Sequence, residues 1–137
     1  MHSPIRKHIA VLFLGLFSML SSCSQVEQPK IVRSSTFGGA DIDWLNGIMP
    51  SPSGGFFTVG FSFSKESPWK ANKGNWDMLL AEVDDTLALV KHRTMGTSGR
   101  DAALGIVPCS TGGYFVAGYS GTSDFDAPGN HGSQDMW

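Results

Sequence analysis

Three oxygen-bearing side chains lie close together in Asp124-Phe125-Asp126-Ala127-Pro128-Gly129-Asn130, an arrangement that could bind calcium. Calcium takes about six to eight hard oxygens, and carboxylates at alternating positions can supply several of them. Asp124, Asp126 and Asn130 are therefore candidate calcium ligands, without the full spacing or final glutamate of an EF-hand loop. The competing reading is a solvated turn held by Asx-type backbone hydrogen bonds. Trp69 and Phe125 sit in two long loops and are the aromatics expected to be exposed, so they are the candidate ligand-binding pair, able to stack on a glycan. Trp44, Phe61, Trp76 and Tyr119 could belong to the same carbohydrate platform, although aromatics are also what β units pack with. Asp77 and Asp135, like Asp43 and Asp101, recur at matching positions, which suits structural carboxylates accepting backbone N–H bonds. His92 and His131 lie in no metal-ligand spacing. Gly118-Tyr119-Ser120-Gly121 falls short of a serine nucleophile elbow, and no phosphate-binding glycine loop is present. No catalytic constellation emerges, and the expectation is a protein that is not an enzyme.

The elements that position these residues come from an internal repeat, which is the first thing to seek in any chain. Residues 31–79 align with 89–137 at a constant offset of 58, without a gap, and 16 of the 49 positions are identical. Seven of those identities are Gly or Pro, which set backbone geometry. One unit reads as four strands: Trp44–Met49, Phe56–Phe61, Asp77–Val83 and Leu87–Met95. Ser53-Gly54-Gly55 and Asp84-Asp85-Thr86 form turns between them. The second unit repeats this at Ala102–Ile106, Tyr114–Tyr119 and Asp135–Trp137. Residues 31–39 read as the last strand of a preceding unit. The nearly continuous apolar runs of the second strands suit strands covered on both faces. Abundant glycine and the lack of helical periodicity after residue 30 make the chain all-β. Antiparallel four-stranded units of this period match β-propeller blades.

The N-terminus carries different chemistry. A cationic start (His2, Arg6, Lys7, His8) precedes the apolar run Ile9–Leu20, too short for a transmembrane helix and suited to a signal segment. It ends at Leu20-Ser21-Ser22-Cys23, which resembles the bacterial lipobox. That resemblance implies cleavage before Cys23, lipid attachment to its thiol and anchoring in a membrane by acyl chains. Residues 1–22 are then the lipoprotein signal peptide and 23–30 a polar tether. Ser24, with no Asp after the cysteine, favours the outer membrane of a two-membrane envelope. Without residues 1–22, which hold Arg6 and Lys7 and no acid, 8 basic side chains face 12 acidic ones, a formal charge of −4. Nothing basic remains to cover phosphates, which argues against a nucleic-acid partner. A lipidated Cys23 leaves Cys109 without a disulfide partner, in the place where the first repeat has Ser51.

Residues 31–137 resemble tandem repeats of bacterial secreted and surface proteins. The matching motifs are Thr36-Phe37-Gly38-Gly39, the run Ser110–Tyr119 with its Gly112-Gly113-Tyr114 and Val116-Ala117-Gly118-Tyr119, Gly129-Asn130-His131-Gly132, and Asp135-Met136-Trp137. The resemblance implies a β-propeller and carries no particular activity, because that fold hosts many functions. Leu87 stands where these repeats have glycine, and Lys91 and Arg33 where they have tryptophan, so the closing strand is expected to be irregular. One whole unit and parts of two others are fewer than the blades of a closed propeller. The expectation is an incomplete propeller, either a truncated reading frame or a short chain that associates with copies of itself. The function expected is a lipid-anchored envelope scaffold for binding or adhesion, with a glycan or protein ligand. The alternative is a fragment of a propeller enzyme acting on glycans, with catalytic residues outside this chain. A third expectation is a chain that does not fold stably.

Overall fold

The computed structural model describes residues 28–137. The chain divides into two units, Met1–Ile31 and Val32–Trp137, and the strands among the described residues belong to the second. The signal segment 1–22, Cys23 and residues 24–27 of the tether lie outside the described residues.

The first strand, β1 (Asp43–Pro50), ends at a proline, which has no N–H to continue a ladder. Gly54 and Gly55 then reverse the chain at φ of +90° and +74°, a region that costs other residues about 1–2 kcal/mol each. β2 (Phe56–Ser62), β3 (Asp77–Val83) and β4 (Leu89–Met95) follow, all antiparallel, in the order β1-β2-β3-β4. A second antiparallel sheet, in the order β5-β6-β7, holds β5 (Ala102–Pro108), β6 (Tyr114–Ser120) and β7 (Asp135–Met136). The described residues are thus all-β, with no helix.

Positions 58 residues apart share local geometry. Register shifts fall between Leu45 and Gly47 and between Ala103 and Gly105, where one extra residue bulges from each first strand. Opposite each bulge the backbones come so close that only glycine fits. A Cβ at Gly60 would lie 1.8 Å from the Trp44 carbonyl oxygen, and one at Gly118 would lie 1.9 Å from that of Ala102. Ser51 and Cys109 close matching turns, each with its N–H bonded at 3.0 Å to the carbonyl of a Gly four residues on.

The sheets pack face to face. Val59, Met78 and Ala103 form the buried centre, with Leu80, Ile106, Val116 and Trp137 around it. On the other face of the first sheet, Leu79 and Ala81 lie under Trp69, flanked by Phe37 and Leu89.

Three expectations need correction. Residues 31–39 form no strand; Gly39 and Ala40 give their N–H groups to the carboxylates of Asp43 and Glu66 instead of to a ladder. The fourth strand starts at Leu89, because Leu87 adopts φ +66° in a turn held by Asp84, whose carboxylate accepts the N–H groups of Thr86 and Ala88. Coverage on both faces holds for the second strand of the first unit, β2, but not for its counterpart β6, where Phe115 and Ala117 face outward with no sheet over them.

Candidate binding surface

One end of the two sheets gathers the long loops, because β1, β3, β5 and β7 begin there and β2, β4 and β6 end there. Asp43, Asp77, Asp101 and Asp135 stand at these strand starts. Each accepts the backbone N–H of the residue four before it: Gly39 at 2.7 Å, Lys73 at 2.9 Å, Thr97 at 2.7 Å, and His131. Asp101 also accepts the Thr97 hydroxyl at 2.8 Å and the Gly121 N–H at 3.3 Å, and Asp43 accepts the Ser62 hydroxyl. Burial pushes the Asp77 carboxyl above its ordinary range, opposed by the N–H groups of Lys73 and Gly74. Asn72 and Asn130 share a role: Nδ2 of each donates at 2.7 Å to the carbonyl of Ser62 or Ser120, and Oδ1 accepts from Gly74 or Gly132.

The three candidate calcium ligands have separate protein partners. Asp124 accepts the N–H of Ser98 at 2.9 Å and its hydroxyl at 2.6 Å, and these bonds hold its carboxyl below the usual range. Asp126 pairs with the Lys73 ammonium and accepts the Gly96 N–H at 3.0 Å; the lysine is the main reason its carboxyl is lowered. Asn130 is engaged as above. Together Asp124 and Asp126 tie loop 121–134 to loops 96–101 and 63–76. Among the described residues, no three His, Cys, Asp or Glu side chains are grouped to hold a metal ion.

The aromatic pair separates. Trp69 is fully buried, not exposed as expected, because Phe37 and His92 meet its ring edge-on at 6.3 and 5.0 Å and the sheet lies beneath it. Phe125 is exposed, at φ +44°. The aromatic surface is elsewhere. Trp44, 58% exposed, lies parallel to Phe61 with centroids 6.4 Å apart, as cross-strand partners on one face. Phe61 meets Trp76 at 6.0 Å, Phe63 meets Trp76 at 4.7 Å, and the Arg100 guanidinium lies 4.8 Å from the Trp76 ring centre. Arg100 is placed there because Trp76 and Arg100 bridge the two sheets, with the Asp101 N–H donating to the Trp76 carbonyl at 2.8 Å. The buried indole N–H of Trp76 has no acceptor in the protein, as is true of Trp69.

Sequence reading named Trp44, Phe61 and Trp76 among the aromatics of a carbohydrate platform but expected only Trp69 and Phe125 to be exposed, and it missed Phe63 and Arg100. A signal was present: Trp44, Phe63 and Trp76 align with Ala102, Gly121 and Gln134, so the second repeat lacks this cluster. Compared with family models, curated proteins and solved structures, the chain has no match. No helix among the described residues is long and apolar enough to cross a membrane.

Proposed function

We propose that this chain is an envelope lipoprotein, held to the outer membrane through Cys23, whose β-propeller-type repeats present a non-enzymatic binding surface for a glycan. One contrast carries the binding role. The strand-start carboxylates are occupied in the same backbone bond in both units. Trp44, Phe63 and Trp76, which the second unit replaces with Ala102, Gly121 and Gln134, gather with Phe61 beside Arg100. A sugar ring lays its C–H face on an indole, while its hydroxyl oxygens accept bonds from a guanidinium, and Arg100 supplies that donor beside Trp76. The lipid anchor rests on the Leu20-Ser21-Ser22-Cys23 motif. The propeller type rests on the antiparallel sheets and the sequence motifs of residues 31–137.

Two measurements test this reading. The intact mass of the protein extracted from the producing cell's membranes should show acyl chains on Cys23 and loss of residues 1–22; an unmodified mass refutes the anchor. Binding of the full chain to immobilised envelope polysaccharides should fall at least about tenfold in Trp44→Ala, since losing one stacked aromatic contact removes about 1.4 kcal/mol or more. Retained binding in that variant refutes the surface, and turnover of a bound glycan refutes the non-enzymatic role.

A further inference from the structure

The two sheets meet through one pair of faces. β5 lies against β1, β2 and β3, and Val59 and Met78 of the first sheet pack with Ala103, Ile106 and Val116 of the second. Phe57 meets Tyr114 across this contact at 4.5 Å. The offset of 58 carries both faces onto two others. Phe57 and Met78 map to Phe115 and Met136, on the far face of the second sheet. Ala103 and Ile106 map to Leu45 and Ile48, on the far face of the first. These mapped positions are open. Met78 is 3% exposed and Met136 97%, while Phe115, Leu45 and Ile48 are all exposed. Leu104 and Val107 extend the open patch on β5.

We propose that the far face of β5–β7 is a docking site for β1 of a second copy of this chain, joined head to tail by the kind of contact that joins the two sheets within one copy. The occupant follows from what covers the equivalent face. Inside the chain Met78 is covered through β5, and β1 is the strand equivalent to β5, with the same bulge and the shared Gly47/Gly105, Ile48/Ile106 and Pro50/Pro108. The contact is thus continuous with one already present. Phe115 of one copy takes the place of Phe57, and Phe56 of the next that of Tyr114. Trp69 and Phe37 cover the β3–β4 half of the first sheet and leave β1 clear. One bond is not reproduced: Asn46 Nδ2 donates to the Ala103 carbonyl at 2.8 Å, and Leu104, its equivalent, has no donor. The two docking faces differ, so the contact is heterologous and adds copies until the rotation closes a ring.

Sedimentation velocity on the mature chain, residues 23–137 carrying Cys23→Ser, which has neither the lipid nor the apolar run Ile9–Leu20 to drive association, tests this. The parent is expected to gain mass as its concentration rises. Met136→Asp and Ile48→Asp, both at exposed positions, should each sediment as monomers. An equimolar mixture of the two should form dimers and stop there, because one supplies an intact β1 and the other an intact β5–β7 face. That rescue also shows that both variants fold. A parent that stays monomeric at every concentration overturns the proposal. So does association that survives Ile48→Asp, which indicates a symmetric face-to-face pair, or a mixture that fails to dimerise.

Discussion

Asp101 is fully buried and accepts the N–H and hydroxyl of Thr97 and the N–H of Gly121. Truncation strips an acceptor from all three donors, which in a buried site costs roughly 3 kcal/mol. Asp101→Ala should therefore lose about that much stability in urea titrations, and Asp101→Asn, which keeps one carbonyl oxygen, should lose less. A loss under about 1 kcal/mol would mean that water replaces the carboxylate. Asp77 makes a different prediction, because burial raises its carboxyl in the folded state. The folded form then holds this proton more tightly than the unfolded form does. The contribution of Asp77 is most favourable below its unfolded value and is lost as pH rises through the folded one. Asp124 and Asp126 are lowered, so theirs is present above the unfolded value and lost as pH falls. Across roughly pH 3–6, where carboxyls titrate, Asp77→Asn should make stability climb more steeply with pH than in the parent. An unchanged slope in urea midpoints would show that Asp77 has no raised pKa.

The same punctuation that made the strands readable marks where reading failed. Pro50 and the Gly54-Gly55 pair end and reverse a strand for reasons internal to those residues, and β3 runs over the residues its sequence pattern indicated. Leu87 was legible as a missing glycine, and it sits at φ +66°. That conformation costs a residue with a Cβ about 1–2 kcal/mol, part of which glycine returns as backbone freedom in the unfolded chain. Leu87→Gly should raise stability by up to about 1 kcal/mol, and Leu87→Val, branched at Cβ, should lower it. Equal midpoints for all three in urea would show that the turn relaxes. What local sequence could not supply was tertiary cover. Trp69 is buried because Phe37, thirty-two positions earlier, lies against it, and residues 31–39 form no strand, with Gly39 giving its N–H to Asp43. Arg100 joins the aromatic cluster only through the bridge that pairs it with Trp76.

Across the whole molecule, burial is uneven in a way that sets the order of opening. β2 and β3 lie at the centre of the first sheet, with Leu79 and Ala81 covered on one side and Val59 and Met78 on the other. The second sheet has cover on one face only, and β7 contributes two residues. Its loops are bound to the first sheet at the end where Asp126 meets Lys73 and Gly96, and Asp124 meets Ser98. Opening free energy rises with buried apolar contact, so amides of β2 and β3 should exchange hydrogen slowest and those of β6 and β7 fastest. Asp126→Ala cuts the tie without touching either core. It should speed exchange in loop 121–134 and in β6 and β7 while leaving β3 nearly unchanged. The part-exposed ion pair accounts for no more than about 1 kcal/mol of the global unfolding free energy, and the Gly96 N–H left without its acceptor adds about 1–3 kcal/mol unless water reaches it. Head-to-tail association adds a concentration dependence to the same map. If β1 of a second copy covers Met136 and Phe115, protection of β6 and β7 should grow with protein concentration in the parent and stay flat in Met136→Asp. Protection that is equal in both sheets and indifferent to concentration would mean that the two sheets open as one unit and that the far face of β5–β7 stays bare.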